Sequence, residues 1–185
     1  MNWVNDMKKI ATTYGNSLYD LAKEEALCDV ILNDLQLVLS VFDENPDYRK
    51  LLLEPSISKE ERRALLDEAW RDQIHLYTLN FLKMLCDNGT IGAFSDCALQ
   101  YRQRYNEDHG IVEVCAVCAS AISQDLQGKL QKKLEHMTGK QIQLTCRVDE
   151  SLIGGIRLEL QGIEYDGSIR HHLHEIQRVL HDTAV

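Results

Sequence analysis

The stretch GIVEVCAVCAS, residues 110–120, divides this sequence into two parts with different hydrophobic periods. It is rich in β-branched and small residues, which predicts a strand. Before it, apolar residues recur three and four positions apart, the spacing that places them on one face of a helix. After it, short alternating runs appear between helical patterns. The sequence therefore predicts two domains, residues 1–109 and 110–185, joined directly at His109–Gly110.

Six helices are predicted in the first part. A proline is favoured at the first helical position, so Pro46 begins a short helix, and Ser58 with Glu61 forms a capping box at the start of the next one. Because the connections between the helices are short, they predict a compact six-helix bundle over residues 1–109. The longer apolar stripes are residues 10–22, 28–42, 79–86 and 91–105.

The second part predicts a small domain of strands and helices. Ser123 begins a helix that Gly139 ends, and clean alternation over residues 142–148 and 156–160 predicts two strands. A further short strand fits near Ile163–Tyr165. The last helix carries Ile169, Leu173, Ile176 and Leu180. The fold class is thus α+β overall, with an N-terminal six-helix bundle followed by a small C-terminal α/β domain.

Composition and charge exclude several classes of protein. No apolar run approaches the length of a membrane span, and the N-terminus lacks the pattern of a secretory signal. The net charge is −9 without a visible basic patch, which argues against nucleic-acid binding. Up to Gly110 there are 12 Lys and Arg against 19 Asp and Glu, a balance of −7, which favours a positively charged partner for the first half. Six cysteines outside a secretory context indicate a reducing cytoplasm.

Two motifs resemble known chemical sites, a phosphate-binding loop and a redox or zinc CxxC pair, but neither has the features that such a site needs. Gly154–Gly155 leads into a strand and lacks the Lys-Ser/Thr of a phosphate-binding loop, so we expect a bulge or a close backbone approach. Cys115 and Cys118 match CxxC but lie inside a predicted strand, where an odd separation places the two sulfurs on opposite faces. We therefore expect neither a redox pair nor a zinc site from them.

The last predicted helix is rich in histidine. These residues lack an obvious further ligand at a fixed spacing, so a polar face near a helix C-terminus is favoured over a metal site. They are His171, His172, His174 and His181. From the residues alone, two classes of protein stay open beside a partner-binding subunit: a small metal- or thiol-dependent enzyme, and a helical adaptor for an unrelated assembly.

Three motifs together resemble one family. YGNSLYDLA at residues 14–22 is similar to Y-A-x-A-L-x-x-x-A, and NFLKML at residues 80–85 is similar to N-F-L-x-x-L. Residues 152–173 contain the most specific match, to L-x-G-G followed by D-x-S-x-x-x-x-L. These motifs resemble the delta subunit of F-type ATP synthase, whose mitochondrial counterpart is the oligomycin-sensitivity-conferring protein. One departure is Gly15, where the family usually has alanine; glycine lowers helix propensity there by about 1 kcal/mol.

The resemblance implies a non-catalytic stator subunit without a cofactor, a metal site or catalytic residues. It implies that residues 1–109 bind N-terminal helices of the alpha subunits, and that residues 110–185 bind the C-terminal end of the b-subunit peripheral stalk. The chain would occur in single copy within a hetero-oligomeric complex, peripheral to the cytoplasmic face of the bacterial cell membrane and without inserting into it. Rotation driven by hydrogen-ion or sodium-ion transport would then be coupled to ATP synthesis.

The resemblance also suggests which side chains bind partners. We expect the first and fifth helices to line a groove for the alpha segment, although some of these residues must face the core. The groove candidates are Tyr14, Leu18, Tyr19, Leu21, Phe81, Leu82 and Leu85. The structural signature of the C-terminal domain is Gly154, Gly155, Asp166, Ser168 and Leu173.

Overall fold

The computed structural model describes residues 3–150, 152, 156–160 and 163–165. Within them lie seven α-helices and four strands, which confirms the α+β class. The helices are α1 (Trp3–Glu24), α2 (Cys28–Glu44), α3 (Pro46–Leu53), α4 (Lys59–Trp70), α5 (Leu76–Asp87), α6 (Phe94–His109) and α7 (Gln124–Thr138), with a 3₁₀ turn at Ile91–Ala93. The strands are β1 (Ile111–Cys118), β2 (Gln141–Val148), β3 (Ile156–Leu160) and β4 (Ile163–Tyr165).

Part of the sequence prediction lies outside the described residues. This is so for the last predicted helix and its histidines, and for the C-terminal signature Gly154, Gly155, Asp166, Ser168 and Leu173. The predicted short strand near Ile163–Tyr165 is present as β4.

The chain divides into two compact units, residues 1–105 (the helical unit) and 106–185 (the sheet unit). The division falls shortly before His109–Gly110, so the last turn of α6 belongs to the sheet unit. Within this unit, Asn106 Nδ2 of that last turn donates to Glu113 Oε1 of β1 at 2.9 Å. Gly110, with φ of +63°, then allows the chain to turn directly from helix to strand.

The core of the helical unit is built around aromatic rings. Tyr19 of α1 and Tyr101 of α6 meet edge to face with centroids 5.2 Å apart, and Phe94 contacts Phe42 at 5.5 Å and Phe81 at 6.5 Å. Such pairs add to the free energy of plain area burial. The buried Tyr101 hydroxyl donates to a backbone carbonyl of α2 at 2.9 Å, so its polar atom is satisfied. Burial raises the pKa of Tyr101, which therefore stays neutral.

The helix ends follow the capping signals in the sequence. Ser58 Oγ accepts from the Glu61 backbone N–H while Glu61 accepts from the Ser58 N–H, which is the predicted capping box. Ser123 Oγ accepts the N–H three residues on and begins α7. Gly139, with φ of +66°, ends α7, because its N–H bonds a carbonyl of the last turn at 2.8 Å.

Gly15 of α1 packs closely against α6. A Cβ added at Gly15 would lie 2.6 Å from the Cys97 carbonyl oxygen and 2.8 Å from Cβ of Gln100. Distances this short are not found in real structures, and the nearest atom is backbone. The glycine is thus explained by packing between two helices distant in sequence, even though it lowers the helix propensity of α1.

Replacing Gly15 with alanine is expected to lower the free energy of unfolding of the helical unit by about 1–3 kcal/mol, since overpacking exceeds the gain in propensity. Gly128 within α7 is the matched control, because a Cβ there meets no atom within 4 Å. Gly128→Ala is expected to stabilise the sheet unit by about 0.5–1 kcal/mol. Urea denaturation of both variants, followed by circular dichroism, measures whether each change lowers or raises the free energy of unfolding. A Gly15→Ala protein as stable as its parent would contradict this view of the α1–α6 contact.

The sheet unit has the strand order β2-β1-β3-β4. β1 and β2 are parallel and joined by α7, whereas β3 is antiparallel to β1 and to β4. One face packs on α7, where Val114, Cys118, Leu134 and Leu158 belong to one buried cluster. Cys115 lies on the other face of the sheet, beside its polar strand neighbours Thr145 and Glu159. Cys115 and Cys118 therefore lie on opposite faces, as predicted for a CxxC motif within a strand.

Candidate functional site: partner-binding surfaces

The structure separates the seven predicted groove residues into core and surface. Five of them are at most 6% exposed and belong to the core cluster of the helical unit: Leu18, Tyr19, Phe81, Leu82 and Leu85. Tyr14 is partly buried and packs against that core, and Leu21 is 37% exposed. A groove residue and a core residue share the same helical spacing, so the sequence pattern alone does not distinguish them.

A different stripe of α5 is exposed. Leu76 is 60% exposed and Met84 is 36% exposed, with the exposed Asn80 between them at intervals of four residues. Side chains at this spacing lie on one face of a helix. The motif beginning at Asn80 is therefore divided, because its asparagine faces solvent while Phe81 and Leu82 are buried. The sequence analysis did not name Leu76 or Met84, although their four-residue spacing from Asn80 places the three residues on one helix face.

The first turn of α5 is held by a carboxylate from α2. Asp34 is buried, and its Oδ2 accepts from the His75 backbone N–H and from Thr78 Oγ1, each at 2.8 Å. His75 Nδ1 in turn accepts from the Tyr77 N–H at 3.2 Å. A negative charge at a helix N-terminus also interacts favourably with the helix dipole. These contacts fix where α5 begins, and hence the orientation of its exposed stripe.

Two ion pairs join α4 to α5. Arg63 donates from Nε and Nη2 to both carboxylate oxygens of Asp87, at 2.5–3.1 Å, and Lys83 donates to Asp67 at 2.6 Å. The hydrogen bonds from Arg63 lower the pKa of Asp87, and the hydrogen bond from Lys83 lowers the pKa of Asp67. Both carboxylates therefore stay ionised, and α5 is held against its neighbours along most of its length.

Four of the six cysteines lack the raised thiolate population of a reactive thiol. Burial raises the pKa of the Cys86 thiol to about 11 and that of Cys97 to about 12. Burial also raises the pKa of Cys118 and of Cys146. A nucleophilic cysteine needs the opposite shift, because the thiolate is the reactive form.

The metal alternative has no support in the described part of the chain. There, no three His, Cys, Asp or Glu side chains are grouped so that they could hold a metal ion. A small apolar cavity of about 10 Å³ between α7 and the sheet, lined by Val112 and Leu134 among others, leaves space for about one water molecule. It is therefore a packing defect rather than a cofactor pocket.

The described helices also bear on membrane insertion. Within residues 3–150, which contain all of them, no helix combines the length and the apolar character needed to cross a bilayer.

Comparison with known families identifies the chain. The family model described as ATP synthase delta (OSCP) subunit matches residues 10–180, which is nearly the whole sequence. The chain belongs to this family. The resemblance inferred from the three sequence motifs is thereby confirmed.

Curated relatives carry the name ATP synthase subunit delta. The protein from Carboxydothermus hydrogenoformans is 28% identical over 172 residues, covering 93% of this chain and 97% of the relative. The one from Bacillus thuringiensis strain Al Hakam is 30% identical over 172 residues, covering 92% and 95%. Among solved structures, a chain in the cryo-EM structure of the Toxoplasma gondii mitochondrial ATP synthase hexamer has the same fold, with a TM-score of 0.69 at 18% identity, covering 92% of this chain and 96% of that one.

Family membership decides between the alternatives that the residues left open. A delta subunit is a non-catalytic component of the stator, the peripheral stalk of ATP synthase. ATP synthesis and ion transport are therefore activities of the complex, and no site on this chain has to perform chemistry. The relevant sites on a delta subunit are the surfaces through which it contacts other subunits.

Proposed function

We propose that this chain connects the alpha–beta catalytic head of ATP synthase to the b-subunit stalk, in single copy, so that the head does not turn with the rotor. Residues 1–109 then act as the six-helix bundle that binds alpha N-terminal helices, and residues 110–185 bind the C-terminal end of b. In a bacterial cell these partners would hold it at the cytoplasmic face of the cell membrane. The observation that carries the proposal is the family match over residues 10–180.

The physical properties of the helical unit support this role. A stator has to resist torque without dissociating, so it needs tight interfaces; a nanomolar complex corresponds to roughly 12 kcal/mol. The exposed stripe of Leu76, Asn80 and Met84 lies on a helix held by Asp34 and by two ion pairs. Exposed Leu76 and Met84, on either side of Asn80 on a helix held in this way, are suitable contacts for the apolar face of a partner helix. Leu21 of α1 is a further exposed candidate.

The sheet unit has an apolar surface of its own. Leu126 shares the stripe of α7 that carries the buried Leu134, yet Leu126 is 45% exposed. Val148 shares the face of β2 that carries the buried Ile142, yet Val148 is 48% exposed. Because α7 returns the chain from the end of β1 to the start of parallel β2, its first turn lies at the same end of the sheet as Val148. We assign the b-subunit contact to this end.

Titration calorimetry with a peptide of the alpha N-terminal segment from the same organism tests the alpha assignment. We expect one-to-one binding with submicromolar Kd, and at least tenfold weaker binding by Met84→Asp, which places a charge in the stripe. Leu99→Asp is the matched control, since Leu99 is an exposed leucine on α6; its Kd is expected to equal that of the parent. Leu18 and Phe81 are unsuitable for this test because both are buried.

The controls separate binding from folding. Each variant has to show the parent's circular dichroism spectrum and melting temperature before its Kd is interpreted. Absence of binding by the folded parent at high micromolar peptide would refute the alpha assignment. Equal losses in Met84→Asp and Leu99→Asp would refute the assigned surface while leaving alpha binding intact.

A further inference from the structure

The helical unit also has an apolar groove, and no residue of the α5 stripe is among those that line it. It is an open groove of about 410 Å³ between the C-terminal half of α2, the start of α3 and the end of α4, which we name the α2–α4 groove. Its lining includes Leu37, Val41, Tyr48, Ala69, Trp70 and Gln73. Leu37 is an exposed large apolar side chain, and Ala69 is exposed and small, so a partner can approach that wall closely.

The polar atoms of the two aromatic residues in this groove are satisfied by each other. Trp70 Nε1 donates to the Tyr48 hydroxyl at 3.1 Å, and burial raises the pKa of Tyr48, so the phenol stays neutral. Trp70 is only 3% exposed and belongs to the core cluster, so its ring forms part of the floor of the groove, whereas the partly buried Tyr48 forms part of the wall. Tryptophan and tyrosine are also the residue types most often found at the energetic centre of interfaces.

The end of α2 beside the α2–α4 groove is acidic, because Asp43 and Glu44 directly precede Asn45, which lines the groove. The earlier carboxylates of α2 are engaged elsewhere, since Asp29 accepts from Tyr105 and Asp34 accepts from the start of α5. Asp43 and Glu44 end α2, whose last turn carries no basic residue. A helix C-terminus is already the negative end of the dipole, so carboxylates there are unfavourable and a cation is favoured. This end of the groove is therefore complementary to positive charge.

Cations near the groove are engaged with other groups. Arg49 donates to the Gly92 carbonyl at 3.1 Å, and Arg71 lies 3.6 Å from Asp67. Lys50 pairs with Asp47 at 2.9 Å, which leaves Asp43 and Glu44 as the dominant charges at the end of α2. The occupant that fits both the apolar lining and this acidic end is an amphipathic helix with basic residues beside its apolar face.

We infer that the α2–α4 groove is a docking site for a basic amphipathic helix of a partner protein, separate from the α5 stripe. Its apolar face lies between Leu37 and Ala69, over the groove floor that Trp70 helps to form, while its Lys and Arg residues lie over Asp43 and Glu44 at the end of α2. Helix-in-groove binding of this kind uses apolar anchors spaced three and four residues apart. The inference rests on the lining and charge of the groove and does not depend on the alpha assignment.

Trp70 allows a direct test on the full chain. The sequence has two tryptophans, so Trp3→Phe leaves Trp70 as the only one, and its fluorescence reports on the groove. The probe is a designed 18-residue helical peptide of leucine and lysine, compared with the same peptide in which every lysine is glutamate. We expect a saturable change in Trp70 emission with low-micromolar Kd for the lysine peptide and no change for the glutamate peptide.

Two pairs of variants localise the binding. The double variant Asp43→Lys/Glu44→Lys is expected to weaken binding at least tenfold. Its control, the double variant Glu24→Lys/Glu25→Lys, makes the same charge change at the end of α1, where both residues are exposed. The control is expected to change Kd less than threefold. Leu37→Ser is expected to weaken binding at least fivefold, and Leu99→Ser on α6 to leave it unchanged. Equal effects within either pair, or peptide binding that leaves Trp70 emission unchanged, would overturn the inference. All variants are first checked for parental folding by circular dichroism.

Discussion

Phe81→Ala is expected to lower the free energy of unfolding of the helical unit by about 3–5 kcal/mol, the range for removing a large buried aromatic side chain. Phe81 is 6% exposed, and its ring lies against Phe94 with centroids 6.5 Å apart. No polar group is left unpaired by the change, so the loss reflects a cavity and missing contacts. Because a whole domain is stable by only about 5–15 kcal/mol, a large share of the stability disappears.

Met84→Ala provides the comparison within the same helix. Met84 lies on the exposed stripe of α5, and we expect its replacement to change the free energy of unfolding by no more than about 0.5 kcal/mol, as is usual for surface positions. Urea denaturation monitored by circular dichroism and by tryptophan fluorescence measures both variants. If Phe81→Ala cost less than about 1 kcal/mol, Phe81 would not be a core residue, and its predicted place in a partner groove would have to be reconsidered.

The comparison of Phe81 with Met84 shows which features the sequence could predict and which it could not. The apolar spacing correctly predicted a helix at Phe81 and Met84, because the period of a helix is a local property. Whether Phe81 or Met84 faces solvent depends on which neighbouring helices pack on α5, and those neighbours are distant in sequence. The seven groove candidates therefore include five residues that are buried in the core, and the exposed Leu76 and Met84 are not among them.

Local signals gave the helix ends correctly, and long-range contacts explain the exceptions. The capping box at Ser58 and the glycine end of α7 at Gly139 are present as predicted, since caps involve only three or four residues. Gly15 reflects instead the close approach of α6, which its local sequence does not show. Likewise, the alternation in β2 predicted one buried face, but Ile142 is buried whereas Val148 is exposed. The cluster around Leu134 of α7 includes Ile142 and does not extend to Val148.

A carboxylate that ties two helices together gives the second large effect. Asp34→Ala is expected to lower the free energy of unfolding of the helical unit by about 3–5 kcal/mol. Asp34 accepts from the His75 N–H and from Thr78 Oγ1, and hydrogen bonds to a charged group contribute about 1.5–3 kcal/mol each. Thr78 is fully buried, so its hydroxyl would lose its acceptor in a place that water does not readily reach.

Two further variants separate the contributions to this effect. Asp34→Asn keeps one side-chain oxygen as an acceptor and is expected to lose roughly half as much stability as Asp34→Ala. Asp43→Ala removes an exposed carboxylate from the end of the same helix, α2, and is expected to be neutral or slightly stabilising, since a negative charge there opposes the helix dipole. Equal losses from Asp34→Ala and Asp43→Ala would show that helix charge, rather than the tie to α5, is responsible.

Amide hydrogen exchange distinguishes a local from a global role for Asp34. If this carboxylate fixes the start of α5, exchange in the conservative Asp34→Asn variant should accelerate first at residues 75–79, before the amides of the α5 interior. The exposed Leu76 belongs to that segment, so a loosened first turn would also weaken contact with a helical partner through the α5 stripe. Uniform acceleration across the helical unit would instead mean that Asp34 contributes only to global stability. In that case the orientation of the stripe would have to depend on the Arg63–Asp87 and Lys83–Asp67 pairs alone.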